Sequence, residues 1–229
     1  MIKIRNWKLN IKNHNWGKLV LELAVVFLGV TAGLIVNNWN LQRQEIEKEN
    51  KYLQGFLKDV NKNIIELENY LKSDSLWFND ANSILKTLGN KNIQIDSARV
   101  AIDLILKIKK IKIHTDTYEN IINSDNLSII SNFNLKNQII NYHKTIKSVD
   151  LFDDFFYNYY NDYIMPVIFS EYNVLNGTFN DPDIIKTTKF SNAFVFYYSM
   201  MQQQKEAYTE LLAKSCKLRD KLERYKLNN

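Results

Sequence analysis

Between Leu19 and Val36 the chain carries one charged side chain, Glu22, in a run otherwise made of leucine, valine, isoleucine, phenylalanine, alanine, glycine and threonine. At ~1.5 Å per residue, a helix of this length just reaches across a hydrocarbon core of ~30 Å. A surface apolar all round is satisfied by lipid, and a helix closes its own backbone hydrogen bonds there. The run is therefore expected to be a transmembrane helix. Val30-Thr31-Ala32 has the small residues of a signal-peptide cleavage site, but the apolar character continues through Leu34, Ile35 and Val36 and favours an uncleaved anchor.

Charge sets the orientation. Of the net +5, five cations (Lys3, Arg5, Lys8, Lys12 and Lys18) precede the run with no acid among them, whereas Arg43, Lys48 and Lys51 follow it interleaved with three glutamates. Flanking cations favour the cytoplasm, so the amino terminus is expected inside a bacterial inner membrane and the rest in the periplasm. This divides the chain into a basic cytoplasmic segment (1–18), a transmembrane helix (19–36) and a periplasmic helical-bundle domain (37–229). Trp7, Trp16 and Lys18 on the inner side, and Asn37, Asn38, Trp39 and Asn40 on the outer side, are the expected membrane-interface anchors. Since topology explains the excess charge, nucleic acid is not an expected partner.

With 6 glycines and 2 prolines the chain has little turn chemistry, which points to long helices and an all-α fold. Cys216, the single cysteine, excludes an internal disulfide. Beyond the span, Leu53, Leu57, Val60, Ile64, Leu67, Leu71, Phe78, Ala81, Leu85 and Leu88 recur at threes and fours as a heptad-like seam. No breaker lies between Val36 and Leu53, so the transmembrane helix is expected to continue into an elongated antiparallel helical bundle. Ser73-Asp74-Ser75 predicts a bend or restart, and Gly89-Asn90 a stop. Ile93 to Ile113 is taken as helix, although its alternation from Leu106 onward also suits a strand. Thr117 to Ile130 reads as a short helix. Asn132 to Tyr163 reads as a long one, with Leu135, Ile139, Tyr142, Ile146, Val149, Phe156, Tyr160 and Tyr163 inward and Met165-Pro166 disrupting it. Loop signals at Asn176-Gly177 and Asn180 to Asp183 precede the most regular seam: Phe190, Phe194, Tyr197, Met201, Gln204, Tyr208, Leu211, Ser215, Leu218, Leu222 and Tyr225. An antiparallel return of this helix would bring Lys214, Lys217, Arg219, Lys221, Arg224 and Lys226 near lipid headgroups; a solvated face is the plainer account of them.

An early glutamate (Glu22), a later glycine (Gly29), the closing Asn37-Asn38-Trp39-Asn40 with Arg43, and then Tyr52-Leu53 and Leu57-Lys58-Asp59 resemble a family of uncharacterised bacterial single-pass membrane proteins with a domain of unknown function. A second block, Thr117-Tyr118-Glu119 with Ser124, Leu127, Ile130, Asn132, Leu135, Ile139 and Tyr142, is similar to that family's mid-domain motif. Leu21 and Leu41 depart from the family pattern, which often has glycine and an acid at those places. The resemblance implies a membrane anchor and a helical domain, and brings no activity with it.

Glu22 lies one turn after Lys18, where an ion pair lowers the cost of a membrane carboxylate; its other reading is a contact with a second helix. Gly29 and Gly33 have the Gly-x-x-x-Gly spacing that lets helices approach closely, so Glu22, Gly29 and Gly33 are the candidate residues for membrane-helix association. Leu151 to Phe169 holds more rings than one seam needs, so some are expected to face another subunit or the membrane. His114, Asp116 and His143 lack metal spacing, and Asn180, Asp181 and Asp183 lack a full calcium loop. No phosphate loop or nucleophile motif occurs, so neither catalytic residues, a metal nor a cofactor are expected. The expected role is a non-enzymatic membrane-anchored scaffold, homo-oligomeric or an accessory subunit of a membrane complex. The alternative is an oligomeric channel or gate with Glu22 lining its constriction.

Overall fold

No proline precedes Pro166, and the first long helix is accordingly unbroken. The computed structural model describes residues 16–89 and 93–227, and its fold is all-α. Helix α1 runs Trp16–Gly89. The cap chemistry at Ser73 does not restart it, because the Ser73 hydroxyl bonds back to the Tyr70 carbonyl (2.8 Å) and is absorbed within the helix. The chain forms two units, one up to Lys48 and one from Glu49 onward. Within the first, α1 has the length and apolar composition to cross a membrane.

The second unit is built on three helices: α1 from Glu49, α4 (Phe133–Tyr159) and α6 (Thr188–Leu227). Contacts of Glu49 with Tyr225, Tyr70 with Gln204 and Asn82 with Tyr198 show that α6 runs antiparallel to α1. Those of Glu49 with Ser131 and Asn63 with Tyr142 show that α4 runs parallel to α1. A parallel neighbour needs a crossover, and residues between α1 and α4 supply it.

That crossover differs from the expected pair of helices. Helix α2 covers Ile95–Ile105, a turn follows at Leu106 and Lys107, and the chain from Ile108 to Thr115 is neither helix nor strand. Its alternation has a cause: Ile111 and Ile113 pack on the core while Lys109, Lys110 and Lys112 face out. Lacking a strand partner, the segment is pinned by side chains, with Lys110 Nζ on Asp154 (2.7 Å) and the His114 backbone on Asn63. Helix α3 spans only Asp116–Asn123; Asp125, at φ 53°, turns the chain, and a 3-10 turn at Leu127–Ile129 follows. Asn132 then caps α4 by accepting from the Leu135 amide (2.9 Å).

Pro166 widens the long helix instead of ending it. Pro166 offers no amide to the carbonyl four residues back, and a π turn, Tyr160–Ile164, joins α4 to α5 (Met165–Glu171). The extra residue shifts the seam by one, so Ile164 and Ile168 are buried and Tyr163, expected inside, is 62% exposed. A small hairpin, β1 (Tyr172–Asn173) with β2 (Thr178–Phe179), pairs Tyr172 with Phe179 around Gly177 at φ 65°. A 3-10 turn at Pro182–Lys186 leads into α6, whose expected seam is buried from Phe190 to Leu222.

At one point α1 meets the crossover closely. A Cβ on Gly55 would lie 2.7 Å from Thr117 Oγ1 and 2.9 Å from its Cγ2. Thr117 cannot easily withdraw, since its amide is held by Asp59 Oδ2 at 2.9 Å. Gly55→Ala is thus expected to destabilise the solubilised protein by about 1–3 kcal/mol. Adding Thr117→Ala should restore the loss, helped by the helix propensity of alanine, ~1 kcal/mol over glycine. Denaturant unfolding followed by circular dichroism checks this, and a Gly55→Ala chain more stable than the parent would refute it.

Candidate functional site

In the unit up to Lys48, the apolar side chains from Leu19 to Val36 are uncovered, as are Trp16 and Trp39. Asn37, Asn38 and Asn40 are exposed around Trp39. Trp7 lies outside the described residues. Glu22, Gly29 and Gly33 are seven and four residues apart, which puts them within about 40° of their neighbours on one helix face. Among the described residues, nothing beyond the adjoining residues and backbone of the same helix comes within 4 Å of where a Cβ on Gly29 or Gly33 would lie. Glu22 Oε1 is 4.0 Å from Lys18 Nζ, with both side chains exposed, a loose pair one turn apart. Thr31 bonds the Phe27 carbonyl (2.8 Å), leaving its hydroxyl satisfied within the helix.

In the unit from Glu49 the polar chemistry lies inside the seams, mostly at positions other than those expected. Along α1, Glu49, Phe56, Asn63, Tyr70, Trp77 and Ile84 are all buried at a spacing of seven. With Leu53, Val60, Ile64, Leu67, Phe78 and Ala81, all expected inside, they make the true inward face, whereas Leu57, Leu71, Leu85 and Leu88 are only partly buried on its flank. Glu49 Oε1 accepts from the Ser131 amide (2.9 Å) and hydroxyl (3.0 Å), and from Tyr225 at 3.5 Å. Asn63 exchanges two bonds with the His114 backbone (3.0 and 2.7 Å) and donates to the Tyr142 hydroxyl (3.1 Å), to which Ser215 donates at 3.0 Å.

A third polar layer separates two apolar clusters. Asp153, 2% exposed, accepts from Gln204 Nε2 at Oδ1 and from the Tyr208 hydroxyl at Oδ2, both at 2.7 Å; Tyr70 donates to Gln204 Oε1 at 2.8 Å. On one side lie Trp77, Phe156, Phe194 and Tyr197; on the other Leu67, Val149 and Leu211. Burial raises the Asp153 carboxyl above its ordinary range, against the two donated bonds, and also raises the Tyr208 and Tyr142 hydroxyls. Asp153 fills the step between Val149 and Phe156 in the α4 seam, and that gap was its sequence signal.

The other candidates make contacts within their own unit. His143 stacks on Tyr118 with ring centroids 3.7 Å apart and meets Tyr142 edge-on. Asp181 caps the 3-10 turn, Asp183 pairs with Lys186 at 2.7 Å and Asn180 donates to the Ser170 carbonyl. Among the described residues no group of three or more His, Cys, Asp or Glu is placed to hold a metal ion. Of the rings between Leu151 and Phe169, Phe155, Tyr163 and Phe169 stand at the surface, with Tyr159 stacked on Phe196 at 3.8 Å and on Tyr163 at 4.7 Å.

Burial lowers the His143 pKa from 6.5 to about 4, opposed by Asp59. A lowered histidine pKa means that the unfolded chain binds the proton first, so stability should rise with pH from about 4 to 6.5. The amplitude is on the order of 3 kcal/mol. Asp153 acts oppositely: its contribution is present below 3.8 and lost as pH rises through its elevated folded value. Unfolding titrations of His143→Phe against the parent isolate the histidine part, and the variant should lose the rise with pH between about 4 and 6.5. Parallel pH profiles would refute it.

No protein-family model matches the sequence, and no curated protein and no solved structure matches it either.

Proposed function

We propose that the chain is a non-enzymatic, membrane-anchored helical protein that acts as a homo-oligomeric scaffold or as an accessory subunit of a membrane complex. Its span would sit in a bacterial inner membrane, with the basic amino-terminal segment in the cytoplasm and the bundle in the periplasm. The observation that carries this reading is the common face of Glu22, Gly29 and Gly33, which no other element among the described residues covers. Hydrocarbon suits the leucines and valines around them but offers a carboxylate no hydrogen-bond donor beyond the loose Lys18 pair at 4.0 Å, whereas a second helix can supply one, and two glycines a turn apart admit it at short range. The surface rings Phe155, Tyr163 and Phe169 support the same reading in the other unit, where an exposed aromatic group marks a contact region. The bonded polar groups inside the bundle all serve its own packing.

Native mass spectrometry of the protein extracted in mild detergent should show more than one chain, or one chain with a copurifying partner. Gly29→Leu/Gly33→Leu should shift that population toward the single chain, because two isobutyl groups hold the helices apart. A single chain under all mild conditions would overturn assembly as the role. In spheroplasts, added protease should degrade the unit from Glu49 onward; protection until lysis would overturn the orientation.

The uncovered carboxylate also suits a gate in which Glu22 lines a constriction. Glu22→Gln separates the two readings: it leaves a scaffold assembled without ion flux, whereas in a gate it removes a cation conductance measurable in planar bilayers.

A further inference from the structure

Lys214, Lys217, Lys221 and Arg224 follow one another along α6 at spacings of three, four and three, which sets them in one stripe. They form one wall of a groove of about 370 Å³ between α6 and α4, and Gln138 and Asn141 stand on the other. The floor is Tyr142 and Leu218. Lys214 is engaged by Glu210 at 2.7 Å and Thr145 at 3.0 Å. Asp220, the one carboxylate in the groove, is held by Arg219 at 2.8 Å. Among the described residues, the side chains of Lys217, Lys221, Arg224, Gln138 and Asn141 have neither an ion pair nor a hydrogen bond with the protein.

The groove thus presents donors from both walls and has its only carboxylate already neutralised. On a plain solvated face the cations are paired with interspersed acids, as Lys214 is with Glu210 at the near end of the stripe, whereas among the described residues no acid pairs with Lys217, Lys221 or Arg224. We propose that the α4–α6 groove binds a phosphate-bearing anion. Its charge is met by Lys217 and Lys221, two oxygens by the guanidinium fork of Arg224, and the remaining oxygens by the carboxamide N–H groups of Gln138 and Asn141. The volume lies in the ~300–1,000 Å³ range of small-ligand sites and accommodates a glycerophosphate. Arg224 adjoins Tyr225, whose hydroxyl reaches Glu49, so this wall ends where the chain enters the bundle. The chemistry is shared by an anionic lipid headgroup and a soluble phosphate ester. The site is independent of assembly through the span.

The test is calorimetric titration of the full chain in non-ionic detergent with three probes: short-chain phosphatidylglycerol, short-chain phosphatidylcholine and glycerol phosphate. Phosphatidylglycerol is expected to bind more tightly than phosphatidylcholine, and Lys217→Gln/Lys221→Gln/Arg224→Gln should weaken it by about tenfold or more. Lys217→Arg/Lys221→Arg should keep the affinity. A matched charge loss outside the groove, Lys58→Gln/Lys86→Gln/Lys107→Gln, should leave it unchanged. Glycerol phosphate binding as tightly as the lipid would assign the site to a soluble ester, and binding of the lipid alone to a headgroup; both uphold the anion site. Equal weakening in the two triple variants, indifference of the groove variant, or no binding of any probe would overturn it.

Discussion

Three layers of buried polar side chains fix how the helices of the bundle meet. Glu49 with Ser131 and Tyr225, Asn63 with Tyr142 and Ser215, and Tyr70 with Asp153, Gln204 and Tyr208 each join α1 to the neighbourhood of α4 and to α6. Apolar seams with a heptad repeat can slide by seven residues and still bury leucine against leucine. A slide by seven would set Leu211 and Ser215, or Tyr197 and Met201, where Gln204 and Tyr208 meet Asp153, and so take from a buried carboxylate at least one of its two donors, at a cost of about 1–3 kcal/mol. The layers are spaced so that only one register satisfies all of them. Whatever net stability they contribute, they exclude the alternatives.

The same side chains explain what was legible in the sequence and what was not. The α6 seam could be read almost residue for residue, because its polar members, Gln204 and Ser215, are uncharged and flanked by rings and leucines. On α1 two rival stripes share Leu53, Val60, Ile64, Leu67, Phe78 and Ala81. The one through Leu57, Leu71 and Leu85 looks more apolar than the true one, since Glu49 and Asn63 dilute the latter. Periodicity weighs residues by hydrophobicity and has no term for a carboxylate whose donors arrive from eighty residues away. Asp153 escaped for that reason, although the gap between Val149 and Phe156 marked its place. In the membrane run the reading rests on length and flanking charge, which are local and survive without tertiary information. The anion groove depends on α4 lying beside α6, so the cations alone could suggest only a charged face.

Backbone chemistry accounts for the remaining departures. A proline within a helical pattern predicts a break, but here the helix gains a residue and continues, and every side chain beyond it turns to a new bearing. Tyr163 is thereby put at the surface beside Tyr159, and Ile164 takes the core position. The irregular stretch after α2 could follow neither helix nor sheet statistics. It alternates like a strand, yet what holds it are side chains of two helices, Asn63 of α1 on the His114 backbone and Asp154 of α4 on the Lys110 ammonium.

The parallel course of α1 and α4 imposes an order on synthesis. The first helix made is also the one whose inward face is completed last, since Gln204 and Tyr208 lie on the final helix and the chain must first lay down the crossover and α4. A nascent chain halted before α6 would hold the Asp153 carboxyl and the aromatic faces of two helices open to water, a state that invites wrong pairing with other chains. Synthesis must therefore reach α6 before the core can close, so a truncation ahead of α6 leaves Asp153 without the donors of Gln204 and Tyr208 instead of merely shortening the bundle.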